Sequence, residues 1–274
     1  MRRWLSTVVA AVIGGGATAG ALLAAGAVGT GKEGAAGGVR LAGAARAGGA
    51  AGAAWAALEV REIFRRAAPG VVFVRAQRLP GEPTPFDAAG TAGQIEMTGA
   101  GFLIDEHGLM LTNAHVIAAA TDIRVTLSGA QTVGAMVVGK DPDIDLALLR
   151  IDHGGRDLEP LELADSESVG IGDPTIAIGS PSESERTLAT GVVSVLRRRL
   201  TSASGFTIDD VLQTDAALEP SYAGGPLLDA TGRVIGINSQ IASGAAGVET
   251  GFAVPVDVVE DVIPQLEASG HVER

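Results

Sequence analysis

The sequence predicts an all-β protein, a sandwich or a pair of barrels, with one helix before the strands and one after them. Three observations carry that prediction. Short apolar runs follow one another from Gly70 onward, separated by glycine, proline, asparagine or aspartate. Helical periodicity is confined to two segments, one on either side of those runs. The chain has 274 residues, 46% of them apolar, which is enough to enclose a substantial core.

The elements follow in order. After Arg2 and Arg3, Trp4 to Gly31 holds 28 residues without a charge. As a helix it would exceed the ~30 Å of a bilayer core, and two arginines ahead of it direct the remainder outward. Residues 1–31 read as an export segment, either a signal peptide cleaved after Ala27 in "AGAVG" or a retained membrane anchor. Residues 32–54, nearly all glycine and alanine, lack the large apolar groups needed to offset ordering and read as a disordered linker. From Trp55 to Ala68, Val60, Ile63, Phe64 and Ala67 recur at helical spacing, and Pro69-Gly70 stops the segment.

The strand candidates are "GVVFVRAQ", "GAGFLID", "LMLTNAHVI", "IRVTL", "ALLRI", "PTIAIG", "TGVVSVL", "RVIGINSQI" and "GFAVPVD". Arg197 to Arg199, after "TGVVSVL", read as a solvated hairpin. "PVDVVEDVIPQLEASG" reads as a closing helix despite Pro264.

Composition excludes several chemistries. There is no cysteine, so disulfides, thiolate metal sites and cysteine nucleophiles are absent. Net charge is −12; the first 57 residues carry five basic side chains against Glu33 (5 − 1 = +4), leaving −16 (15 − 31) for the rest. A field of that sign repels phosphate backbones and excludes general nucleic-acid binding. No α/β-hydrolase elbow, zincin motif or phosphate loop occurs. "DPDIDL", from Asp141, begins like a calcium loop, but Leu146 stands where glycine is required. No cofactor or metal is expected.

Four histidines remain. His107, His153 and His271 lie in polar turns or near the carboxyl end, where solvation is the ordinary fate. His115 instead ends an apolar strand in "LTNAHVI", and thirty residues later Asp145 opens another in "DLALLRI". A buried carboxylate needs a partner, and an imidazole acting as a base needs a carboxylate on its far nitrogen.

With those residues in place, seven blocks resemble the HtrA (DegP-like) branch of the trypsin-like serine proteases over roughly Leu58 to Arg274. They are "TGAGFLIDEHGLMLTNAHVI", "DPDIDLALLRI", "GDPTIAIGSP", "TGVVSVL", "VLQTDAAL", "GGPLLDATGRVIGIN" and "GFAVPVDVV". The resemblance implies two six-stranded antiparallel β-barrels within 55–274, one over about 69–152 and the other over about 160–256. It also implies His115 as general base, Asp145 as its orienter and position 223 as the nucleophile, with the amides of Ser221 and Ala223 as oxyanion hole. Ala217 and Leu218 would form the base of a substrate pocket and Gly236, Ile237 and Asn238 its wall, an uncharged pocket suited to a small aliphatic side chain.

The family reads N-P-G-N-S-G-G-P where this chain reads Glu219-Pro220-Ser221-Tyr222-Ala223-Gly224-Gly225-Pro226, so four of eight positions depart. Alanine has no hydroxyl, and a side chain at 221 restricts the backbone angles that glycine permits. Loss of the serine in such a triad costs about 10⁶ in turnover. Tyr222 either lies across the cleft or packs on its own loop. "GSPSES" replaces a G-N-P-F-G-like loop, and "SGHVER" stands where most relatives begin a PDZ domain, so no PDZ domain is expected.

The sequence thus reads as an exported, secreted or membrane-anchored homologue that binds peptide or unfolded protein without cutting it. The resemblance adds a homo-trimer as the family's common assembly. Two alternatives stay open: an active endopeptidase using Ser221 or a rearranged loop, and a structural module with a closed cleft.

Overall fold

The computed structural model describes residues 59–80, 95–201, 207–239 and 251–272. The export segment expected over 1–31 and the linker over 32–54 lie outside the described residues. Among the described residues no helix is long and apolar enough to cross a membrane.

Among the described residues, twelve strands form two closed barrels, each of six strands and antiparallel throughout its ladders. A helix α1 over 59–67 and a 3₁₀ turn, Ala68–Gly70, lead into the first. That barrel is built from β1 (Val71–Arg78), β2 (Glu96–Leu103), β3 (Leu109–Thr112), β4 (Ala120–Leu127), β5 (Gln131–Asp141) and β6 (Leu146–Ile151). The second comprises β7 (Pro174–Gly179), β8 (Thr187–Thr201), β9 (Thr207–Thr214), β10 (Pro226–Leu228), β11 (Val234–Ser239) and β12 (Gly251–Pro255). Helix α2 (Val256–Ser269) follows β12 directly. Arg197 to Arg199 lie within β8, which runs on to pair with β9.

Strand alternation explains how one sequence builds two interiors and a seam. In β6, Ala147, Leu149 and Ile151 fill the first barrel, whereas Leu146 and Leu148 face a core shared with β7, β11 and α2. In β7, Ala177 fills the second barrel while Ile176 and Ile178 face the same seam. Both faces of these strands are therefore apolar, which is why their sequences read as continuous hydrophobic runs. Val256, Val259, Val262 and Leu266 supply the buried stripe of α2, and Gly270 ends it in a left-handed cap with φ 78° whose N–H bonds to Leu266 O. Pro264 lies inside the helix, where it removes one backbone hydrogen bond without ending it.

Candidate active site

His115 lies in the turn that follows β3, and Asp145 immediately precedes β6. The β3–β6 pairing, with Thr112 opposite Ala147, brings these two ends of the strands together. Asp145 has φ 58°, in the left-handed region that aspartate tolerates better than most residues. Its carbonyl is fixed there by the Ala114 N–H at 3.1 Å and the Asn113 side-chain amide at 3.0 Å.

The Asp145 carboxylate is fully buried and accepts three hydrogen bonds. Its Oδ1 takes the His115 backbone N–H at 2.9 Å, while Oδ2 takes His115 Nδ1 at 2.8 Å and the Ser239 hydroxyl at 2.9 Å. An ionised carboxylate only accepts, so Nδ1 carries the ring proton and Nε2 is the basic nitrogen of the neutral ring. Burial lowers the affinity of the imidazole for a second proton, but the charge of Asp145 and its hydrogen bond outweigh that effect. The His115 pKa therefore stands above its ordinary value.

The loop after β9 reaches these residues from the other barrel. Pro220–Tyr222 forms a 3₁₀ turn. Its consecutive side chains diverge. Tyr222, 5% exposed, enters the second barrel among Ala177, Leu212, Leu227 and Ile235. Ala223, 3% exposed, joins the apolar cluster of the first barrel together with Val116, the neighbour of His115. The Ala223 carbonyl accepts from Ala100 N–H of β2 at 2.8 Å, so this loop is pinned to the opposite barrel. Gly224 follows with φ 82°, and a Cβ there would strike the Ala100 carbonyl and approach the Thr112 hydroxyl to 2.5 Å. Only glycine satisfies both the angle and the close approach.

The amides expected to form an oxyanion hole have a defined arrangement. The Ala223 N–H donates to Pro220 O at 3.1 Å within the turn. The Ser221 carbonyl accepts from the Ser180 N–H at 2.9 Å, and the Ser221 hydroxyl is buried without a hydrogen-bond partner.

The remaining expected positions are dispersed around this centre. Ala217 is exposed, and Leu218 packs partly buried against the second-barrel core. Gly236, Ile237 and Asn238 are buried in β11, where the Asn238 side-chain amide donates to Pro226 O at 3.0 Å and its backbone carbonyl accepts from Gly224 N–H at 2.9 Å. Ser239, the next residue, is the one that touches Asp145, and sequence reading did not single it out. A serine at the end of a strand carries no local signal of such a contact.

Residues 99–237 match the trypsin-like peptidase domain family. The chain is also 38% identical over 227 residues to protease Do-like 5, chloroplastic, of Arabidopsis thaliana, covering 77% of this chain and 70% of that protein. This chain belongs to the trypsin-like peptidase family. Within the family its relatives are of the HtrA/DegP type. Protease Do-like 1, chloroplastic, of Arabidopsis thaliana is 41% identical over 214 residues, covering 77% of this chain and 48% of that protein. A probable periplasmic serine endoprotease DegP-like of Pseudomonas fulva (strain 12-X) is 37% identical over 215 residues, covering 78% and 42%. The chain thus spans less than half the length of these two relatives. The crystal structure of Deg5 superposes with a TM-score of 0.63 at 33% identity, covering 79% of this chain and 97% of that one. An HtrA-type protease, AlgW with tripeptide, gives 0.64 at 32%, covering 78% and 65%. The two barrels are accordingly those of a trypsin-like peptidase, and the His115–Asp145 pair lies between the ends of β3 and β6 within the matched region.

Proposed function

We propose that this protein is an HtrA-type peptidase homologue that has lost hydrolysis and keeps peptide recognition. The observation that carries the reading is the state of position 223. Its side chain is a methyl group packed with Val116 in the first barrel, and its amide is committed to Pro220 O. In the trypsin-like mechanism that position supplies both the attacking oxygen and half of the oxyanion hole. His115, oriented by Asp145 and Ser239, would act as a base for a nucleophile, and the side chain at position 223 offers it no hydroxyl to activate.

Binding is less affected than chemistry. In the family's arrangement, extended peptide adds to a strand edge through main-chain hydrogen bonds, which need no catalytic serine. The AlgW structure with tripeptide supports carrying peptide recognition to this chain. Ala217 and Leu218 put no charge at the base of the pocket, which favours a small aliphatic side chain. The names of the chloroplastic and periplasmic relatives support an extracytoplasmic or organellar location, and the charge-free run from Trp4 to Gly31 is the ground for reading residues 1–31 as signal or anchor. The same kinship is the ground for a trimeric assembly.

The test uses the full chain with casein and a fluorophosphonate probe, alongside a fluorescent casein-derived peptide for binding. We expect no cleavage and no labelling, with saturable binding that is lost in Ala217→Trp. Labelling of Ser221 that disappears in His115→Ala would instead establish a working endopeptidase with a displaced nucleophile. An absence of peptide binding would leave the closed structural module.

A further inference from the structure

The segment 180–186, between β7 and β8, lies outside the His115–Asp145 centre yet touches both barrels. Arg186 leaves it half-buried and spreads its guanidinium over four acceptors. Nε donates to Val71 O at 2.8 Å, Nη2 to Thr126 O at 3.3 Å, and Nη1 to the Ser180 hydroxyl and to Glu185 O, each at 3.0 Å. Two of those acceptors belong to β1 and β4 of the first barrel. Val71 lies beyond Phe73–Thr126, where the β1–β4 ladder begins, so its carbonyl is available to a donor from outside. A planar fork with five N–H groups can meet these divergent acceptors together; an ammonium at the same place cannot. A second link runs parallel, from Arg75 of β1 to Glu183 at 2.6 Å.

The other end of the segment bears on position 223. The Ser180 N–H holds the Ser221 carbonyl, and a Cβ on Gly179 would lie 2.9 Å from both that carbonyl oxygen and the Tyr222 ring. The 221–222 peptide is therefore gripped by the end of β7. The 220–221 peptide is gripped by its own bond, Ala223 N–H to Pro220 O. Freeing the Ala223 amide requires the Ser221 backbone to rotate, and Ser180 resists that rotation only while its own position is fixed. The Ser180 hydroxyl faces the Ser182 and Glu185 carbonyls of its own loop at 3.1 and 3.3 Å, and the bond from Arg186 is the one that ties it to a side chain anchored on the first barrel.

We infer that Arg186 is a positioning residue that staples the 180–186 segment to the first barrel and so holds the 220–223 turn closed. Releasing the staple frees the Ala223 amide without altering any residue of the turn. The inference rests on reading 220–223 as the nucleophile loop, but its primary readout requires no chemistry there.

Amide hydrogen exchange, resolved residue by residue by NMR, tests it in the full chain as wild type, Arg186→Gln, Ser180→Ala and Glu183→Gln. We expect Ala223 to exchange about tenfold faster or more in Arg186→Gln, while Val74 in the β1–β2 ladder stays within about twofold. Ser180→Ala, which keeps the backbone bond and removes the hydroxyl, gives a smaller acceleration in the same direction. Unchanged Ala223 exchange in a folded Arg186→Gln protein overturns the inference. If that variant fails to fold, unchanged exchange in both Ser180→Ala and Glu183→Gln overturns it equally. A second arm adds Ala223→Ser: the double variant Ala223→Ser/Arg186→Gln is expected to take fluorophosphonate about tenfold faster than Ala223→Ser alone, and equal rates count against the staple. Labelling of the wild-type chain would refute the loss of hydrolysis while leaving the exchange result to decide on Arg186.

Discussion

Replacing Asp145 by asparagine removes the charge beneath His115 while nearly keeping the shape. In the wild-type protein the folded imidazole has its pKa raised by Asp145 despite burial. A histidine raised in this way stabilises the fold fully below its unfolded value, near ~6.5, and that contribution is lost as the pH rises through the higher folded value. In Asp145→Asn burial remains without the compensating charge, so protonation of His115 opposes folding. The two proteins should therefore differ most at acidic pH. Breaking a buried pair costs about 3–5 kcal/mol, and Asn Oδ1 can still accept from Nδ1, so we expect a loss of about 3 kcal/mol at pH 6. Above the folded value the ring is neutral, and the loss shrinks toward ~1 kcal/mol, the worth of an ordinary hydrogen bond. Guanidinium unfolding at pH 6, 7, 8 and 9 reads this directly. With a denaturant slope of roughly 5 kcal/mol/M, the midpoint falls by about 0.6 M at pH 6. A difference that stays constant over this range, or grows with pH, would refute the reasoning.

Three further outcomes follow from the turn at 220–224. Tyr222→Ala empties a site inside the second barrel and should cost about 3–4 kcal/mol in chemical unfolding; a loss under ~1 kcal/mol would mean the ring is not packed there. Gly224→Ala forces a side chain into the left-handed region against Ala100 O, so we expect a loss of at least about 2 kcal/mol, and an unchanged midpoint would contradict the close approach. Ala223→Ser alone buries a hydroxyl in an apolar cluster at a cost of about 1–3 kcal/mol and reacts slowly with a fluorophosphonate; rapid labelling would show that the Ala223 amide is not committed to Pro220.

The sequence made most of the strands legible because they are apolar runs closed off by a turn residue, as in "PTIAIG" and "ALLRI"; β5, β9 and β10 are not among the strand candidates, and β5 is largely solvent-facing, so it shows no such run. It also set His115 and Asp145 apart as a pair, since each alone reads as an ordinary cap or core residue and only the two together, in that order at the ends of apolar strands, suggest a shared role. Ser239 was not legible. It lies 94 residues from Asp145 in sequence, and its contact depends on where β11 ends relative to β6. Strand periodicity assigns faces but not partners, and the register shift between Leu227 and Leu228 adds an offset that no local pattern encodes. Position 223 shows the same limit. In sequence Ala223 reads as a missing hydroxyl; in the structure it is a methyl group that fits the first barrel beside Val116. Tyr222, for which two placements were open, is buried in the second barrel because the turn sends successive side chains to opposite sides.

The bonds around Asp145 bear on what its retention means. Four of the five described above tie it to the Asn113–His115 stretch: two end on its carbonyl, one comes from a backbone amide and one from the imidazole. Together they define the corner between β3 and β6, and none of these bonds ends on position 223. A lineage that stopped cutting peptides would still be penalised for losing this aspartate, because the corner would lose its fastener. The presence of the His115–Asp145 pair is therefore evidence of architecture as much as of catalysis.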